Sequence, residues 1–227
     1  MAKRKAVQDL EIDVQEVQAS SQPIWEKYPN LLFYVLGGIA ILIGAWFGYK
    51  TLVVEPKQKE AEAAMWQAQF QFERDSFNMA LNDPGGGYDG FLTLVDKYNG
   101  TNAGNAARYY AGVCYLQMGD FDNAIQFMES FKPAGDLLPI MKFGVLGDCY
   151  SEKEDYSKAL DYYEKAANAG NNDLLSIHYL KKVGLLNEHQ GNKEAALKAY
   201  KSIKEDFVAT GSADWREIDK YINRVSK

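Results

Sequence analysis

From Leu31 to Tyr49 the chain runs nineteen positions without a charged side chain, while the rest mixes apolar with many charged positions. A helix of that length, rising ~1.5 Å per residue, reaches about the ~30 Å hydrocarbon thickness of a bilayer. Trp25 and Tyr28 precede the run, Trp46 and Tyr49 close it, and Lys27 and Lys50 stand just outside. Rings at both headgroup levels and snorkelling lysines at both ends suit a spanning helix. The pattern predicts a polar tail over 1–30, a transmembrane helix over 31–54 and a folded domain over 55–227. The long tail, and the lack of a small-x-small cleavage pattern after the run, argue for an uncleaved signal anchor.

Within the span Gly37, Ala40, Gly44 and Gly48 form a stripe of small residues on which a second helix can pack closely. In the tail Val7, Leu10, Val14 and Val17 share one helical face, and Ser20-Ser21-Gln22-Pro23 ends that pattern. The tail otherwise reads as largely disordered. Lys3, Arg4, Lys5 and Lys27 before the span are nearly balanced by Lys50, Lys57 and Lys59 after it. The positive-inside rule therefore leaves the orientation open at this point.

Beyond the span the apolar spacing is helical, and it repeats. Gly112, Gly147 and Gly184 recur at intervals of 35 and 37 residues, each followed twelve positions later by an alanine, Ala124, Ala159 or Ala196. Small residues at those places let two antiparallel helices cross closely. The intervening Gly119-Asp120, Glu154-Asp155 and Gly191-Asn192 suit a tight helical hairpin. Tyr115, Tyr150, Phe121, Tyr156, Tyr163 and Tyr200 are expected to fill the seam. One hairpin cannot bury its apolar face alone, so neighbours must stack.

A degenerate copy is expected upstream, over about 57–98. Pro56 opens a helix expected to run to Leu81, Asp83-Pro84-Gly85-Gly86-Gly87 breaks it, and Gly90–Tyr98 returns. Residues 99–105 read as a loop. Further copies are expected over 105–132, 139–169 and 174–206, followed by a capping helix over 213–225 started by Ser212. On that helix Trp215, Ile218, Ile222 and Val225 share one side.

This pattern resembles the tetratricopeptide repeat. Asn187 replaces the usual aromatic of the third copy, Glu154 the turn glycine of the second, and the inter-repeat proline is absent or displaced (Pro133, Pro139). The fold class expected is all-α: one N-terminal transmembrane helix, then a tetratricopeptide-type helical-hairpin solenoid. Anchor and repeats together resemble the ancillary subunit of the Sec translocon (the YfgM-like family). That resemblance implies a cytoplasmic N-terminus, a periplasmic repeat domain at the bacterial inner membrane, and the translocon or a periplasmic chaperone as partner.

Composition excludes several classes. The net charge is −6, with 20 basic and 26 acidic residues over 55–227, and no Arg-rich run supplies an electrostatic footprint for nucleic acid. Cys114 and Cys149 occupy equivalent positions in successive hairpins, about 10 Å apart by stacking geometry and beyond bridging range. They read as small core residues. His178 and His189, eleven residues apart on one helix, are too distant to share a metal. No Gly-Lys follows the glycine loop to make a phosphate cradle, and Asn99-Gly100-Thr101 is a common chance match to the glycosylation triplet. No catalytic residue, cofactor or metal is expected.

In tetratricopeptide domains the first helix of each hairpin lines a groove that binds protein. Carried over, that face holds Tyr109, Val113, Leu116 and Gln117, then Met141, Asp148, Ser151 and Glu152, then His178, Lys181, Leu185, Glu188 and His189. The lysine–asparagine clamp that some members use for a peptide carboxylate is missing, so an apolar or helical segment is the expected ligand. The reading is a membrane-anchored, protein-binding scaffold and not an enzyme. The alternatives are a self-associating envelope or division assembly factor, which would make the chain a homo-oligomer, and the same scaffold facing the cytoplasm.

Overall fold

The computed structural model of the protein describes residues 29–227. The tail pattern and the flanking Trp25, Lys27 and Tyr28 lie outside the described residues. Every regular element described is helical. The contacts divide the chain into two units, one ending at Pro56 and one starting at Lys57.

In the first unit, α1 spans Pro29–Tyr49 and continues as a π-helical stretch, Lys50–Val54. Phe33, Tyr34, Ile41, Leu42, Trp46 and Phe47 are all exposed. This helix is long and apolar enough to cross a membrane. Lys50 lies 5.6 Å from the Trp46 ring centroid, a cation on an aromatic face. The π-helical stretch has a local cause. Proline lacks an N–H and its ring crowds the carbonyl four residues back, so Pro56 favours a wider turn just upstream, where Glu55 N–H donates to Lys50 O.

The second unit begins within α2 (Glu55–Glu73), followed by α3 (Phe77–Asn82) and α4 (Phe91–Lys97). The helix expected to reach Leu81 stops eight residues earlier, because Asp75 takes φ of 57° and turns the chain. Ala61, Met65 and Ala68 of α2 join Ala80, Leu81, Phe91 and Leu94 in one core with α5. Phe91 and Tyr110 stack at 5.0 Å, with Phe72 edge-on to both.

Three hairpins follow: α5 (Asn102–Gln117) with α6 (Phe121–Ser130), α7 (Leu137–Glu152) with α8 (Tyr156–Asn168), and α9 (Asp173–His189) with α10 (Lys193–Asp206). α5 starts inside the segment read as a loop. Thr101 is buried and its hydroxyl accepts from Gly104 N–H at 3.0 Å, which caps the helix. Each hairpin turn repeats one device. Gly119, Glu154 and Gly191 adopt φ of 79°, 59° and 78°. The next residue's N–H then reaches back to Tyr115, Tyr150 or Asn187 at 2.8–2.9 Å, as in a Schellman turn. Asp120 and Asp155 cap the second helices through Asn123 and Lys158 N–H.

The glycines make room, but mainly for something other than the alanines. A Cβ on Gly112 would meet Met128, one on Gly147 the Tyr163 ring, and one on Gly184 the Tyr200 ring. The crowding residue stands sixteen positions on in every case. The alanines are fully buried one turn earlier, at Ala124, Ala159 and Ala196. Side-chain stacks repeat too: Tyr115 on Phe127 and Tyr150 on Tyr162, each at 5.4 Å. The unit closes with α11 (Ala213–Val225), capped by Ser212, whose hydroxyl accepts from Trp215 N–H at 3.2 Å. Ile218 and Val225 are buried against Ile177, Tyr200 and Ile203.

Candidate functional site

A cleft of about 530 Å³ opens where the ends of α5 and α7 face α9. Leu116, Gln117, Gly119 and Phe121 form one wall, Asp148, Ser151 and Glu152 the next, and Tyr163 and Lys182 the back. The glycine windows explain how Tyr163, a residue of a second helix, reaches it. With no side chain at Gly147 the ring crosses α7, and its hydroxyl donates to Asp148 Oδ1 at 2.7 Å. Lys182 Nζ donates to the same oxygen at 2.6 Å. The ammonium also lies 5.2 Å from the Tyr163 ring centroid and 5.8 Å from that of Tyr179.

The same arrangement recurs one hairpin later. Tyr200 passes Gly184 and donates to Glu188 Oε2 at 2.8 Å, and Arg224 of α11 grips both carboxylate oxygens at 2.6–2.7 Å. In each case the cation comes from the following helix of the stack. The first hairpin has Met128 at the tyrosine's place, so its version is apolar.

These contacts set the electrostatics. Burial, then the nearby carboxylate, pushes the Tyr163 and Tyr200 phenols well above the ordinary tyrosine value. The Glu188 carboxyl is held below its usual value, first by Arg224. Burial pushes the thiols of Cys114 and Cys149 up to about 12, and both are free.

The thirteen carried-over groove residues fall in several surroundings. Leu116, Gln117, Asp148, Ser151 and Glu152 come together in the cleft. Tyr109 sits at the seam between hairpins, its ring 5.5 Å from Phe131 and its hydroxyl 4.0 Å from Met141 Sδ, with its phenol pushed up to about 12 by burial. Lys181 pairs with Asp214 at 2.6 Å and Glu188 with Arg224, so α11 occupies both. His189 packs edge-on to Tyr156 at 5.4 Å, and His178 likewise to Tyr179 at 5.0 Å. Val113 is half-buried and Leu185 is exposed. Along the span, a Cβ added at Gly37, Gly44 or Gly48 would meet nothing within 4 Å. Among the described residues no three metal-ligating side chains cluster.

Four cleft residues, Gly119, Phe121, Tyr163 and Lys182, escaped the sequence reading as groove positions, the first two because they lie at the hairpin turn. Tyr163 belongs to a second helix, and Lys182 lies one position past the carried-over Lys181. Each windowed tyrosine reaches a carboxylate on the facing helix, Asp148 one position past Gly147 and Glu188 four past Gly184, so no single spacing announced them.

Comparison with known families agrees with this geometry. Profiles described as tetratricopeptide repeat match residues 106–132 and residues 143–176. The first match covers most of α5 and all of α6; the second covers most of α7, all of α8 and the start of α9. No curated protein matches the chain. The chain carries tetratricopeptide repeats, which are protein–protein interaction modules.

Proposed function

We propose that the protein is a single-span, membrane-anchored scaffold whose repeat domain holds a segment of another protein, and that it performs no chemistry. The observation that carries this reading is the cleft at the ends of α5 and α7. Leu116 and Phe121 give one wall an apolar patch and the rest of the lining is mostly polar, and its volume falls in the ~300–1,000 Å³ range of ligand pockets. The exposed apolar surface of α1 supports the anchor. Tethering keeps the repeat domain at high effective concentration beside a membrane machine. The resemblance to the Sec-associated family supports a periplasmic repeat domain, with the translocon or a chaperone near it as partner.

A photo-crosslinking residue at Leu116, compared with one at Tyr109, tests the reading in intact membranes. Capture of a discrete protein from position 116 is expected, with little from the seam position 109. Protease added to intact spheroplasts tests the topology. Degradation of 60–227 is expected, and protection would place the domain in the cytoplasm.

A second reading, self-association through the span, draws on the open space beside Gly37, Gly44 and Gly48. Replacing Gly44 and Gly48 with leucine separates the two. Loss of oligomers with partner capture intact would favour assembly.

A further inference from the structure

The cleft's charges are unequally committed, and the imbalance points to a partner chemistry. Asp148 accepts from both Tyr163 and Lys182. Lys153, next in sequence to Glu152, turns away to Asp122 at 2.5 Å. Glu152 itself is exposed and makes no ion pair or side-chain hydrogen bond among the described residues. Of the three charged groups lining the cleft, two cancel and one carboxylate remains. The C-terminal ends of α5 and α7 both border the space, and the partial negative charge of a helix C-terminus favours a cation there. An acidic ligand would meet this field with its one cation already neutralised.

We infer that the cleft takes a segment of a partner protein that lays an apolar side chain on Leu116 and Phe121 and sets a lysine or arginine beside Glu152. This rests on the groove reading above and specifies its ligand. Leu116 and Phe121 are half-buried side chains beside the Gly119 turn. A leucine-sized group laid on them sheds water from the face it presents, while the neighbouring cation stays at the wet rim. Affinity therefore comes mainly from the apolar contact, and sequence preference from Glu152.

The test uses the full chain in zwitterionic nanodiscs and fluorescein-labelled peptides of about a dozen residues repeating Leu-Lys-Ala, Leu-Gln-Ala or Leu-Glu-Ala. Anisotropy is read at ~50 and ~300 mM salt, where screening lengths differ about 2.5-fold. The lysine peptide is expected to bind about five- to tenfold tighter than the glutamine peptide at low salt, and the glutamate peptide worst. Glu152→Gln removes that preference, whereas Glu194→Gln on α10 leaves it intact. Leu116→Ala, checked for folding by circular dichroism, weakens every peptide. A lysine preference that survives Glu152→Gln overturns the charge inference. Equal binding of all three peptides, all weakened by Leu116→Ala, overturns it too and leaves the groove reading standing. Absence of any binding, or binding indifferent to Leu116→Ala, overturns both.

Discussion

The ring of Tyr163 crosses α7 over the bare Cα of Gly147, and its hydroxyl donates to the neighbouring Asp148 at 2.7 Å. A methyl group at Gly147 would sit 2.5 Å from ring carbons that cannot flex away. Gly184 faces Tyr200 in the same way, whereas the nearest atom to Gly112 is the terminal methyl of Met128, at 2.8 Å. Alanine in a helix gains ~1 kcal/mol over glycine, and overpacking costs ~1–3 kcal/mol. Gly147→Ala and Gly184→Ala should therefore destabilise by about 1–2 kcal/mol, while Gly112→Ala should be near neutral. Urea denaturation of the three variants gives the ranking.

Glu154 holds φ of 59° at an exposed turn where the other two hairpins have glycine. A left-handed conformation costs a residue with a Cβ ~1 kcal/mol. Glu154→Gly should thus raise stability by about 0.5–1 kcal/mol in the same denaturation assay.

Alkaline unfolding should begin just above pH 10. Burial pushes Tyr109 and Tyr179 up to about 12 from an ordinary 10.0, and Tyr163 and Tyr200 move in the same direction. The folded chain therefore keeps protons that the unfolded chain releases. Stability is full below the unfolded value and falls as pH rises towards the folded ones. Phenolate absorbance followed with circular dichroism should show these rings ionising together with loss of helix, and an early, independent titration would contradict their burial.

Cys114 and Cys149 should resist iodoacetamide at pH 8. Both are fully buried, and their thiols are pushed up to about 12. Since the thiolate is the reactive form, alkylation should become fast only in denaturant, at the midpoint of helix loss. Labelling under native conditions would show that one hairpin opens alone.

Ile41 is exposed on α1 and lies near the middle of the apolar run. Arginine at a helix centre costs insertion ~2.5–3.5 kcal/mol. Ile41→Arg should move much of the chain into the carbonate-extractable fraction, whereas Ile41→Leu should leave it in the membrane pellet.

The hairpins were legible because close crossing demands small residues at fixed intervals, and Gly112, Gly147 and Gly184 keep those intervals. What approaches them was not, since spacing shows that space is required and leaves its occupant unstated. The break after α2 was hidden for a similar reason. Arg74-Asp75-Ser76 contains neither glycine nor proline, yet Asp75 adopts a left-handed turn. In the cleft, Leu116 and Glu152 follow from repeat position alone. The pairings of Lys181 with Asp214 and Glu188 with Arg224 span 33 and 36 residues, a separation at which local pattern carries no information.

α11 covers the open side of the third hairpin. α11 turns Arg216, Glu217, Asp219 and Lys220 to water while covering Ile177, Tyr200 and Ile203. A chain cut before Ser212 would leave that side bare. Water would then reach Ile177, Tyr200 and Ile203, so thirteen amphipathic residues keep the edge of the third hairpin dry.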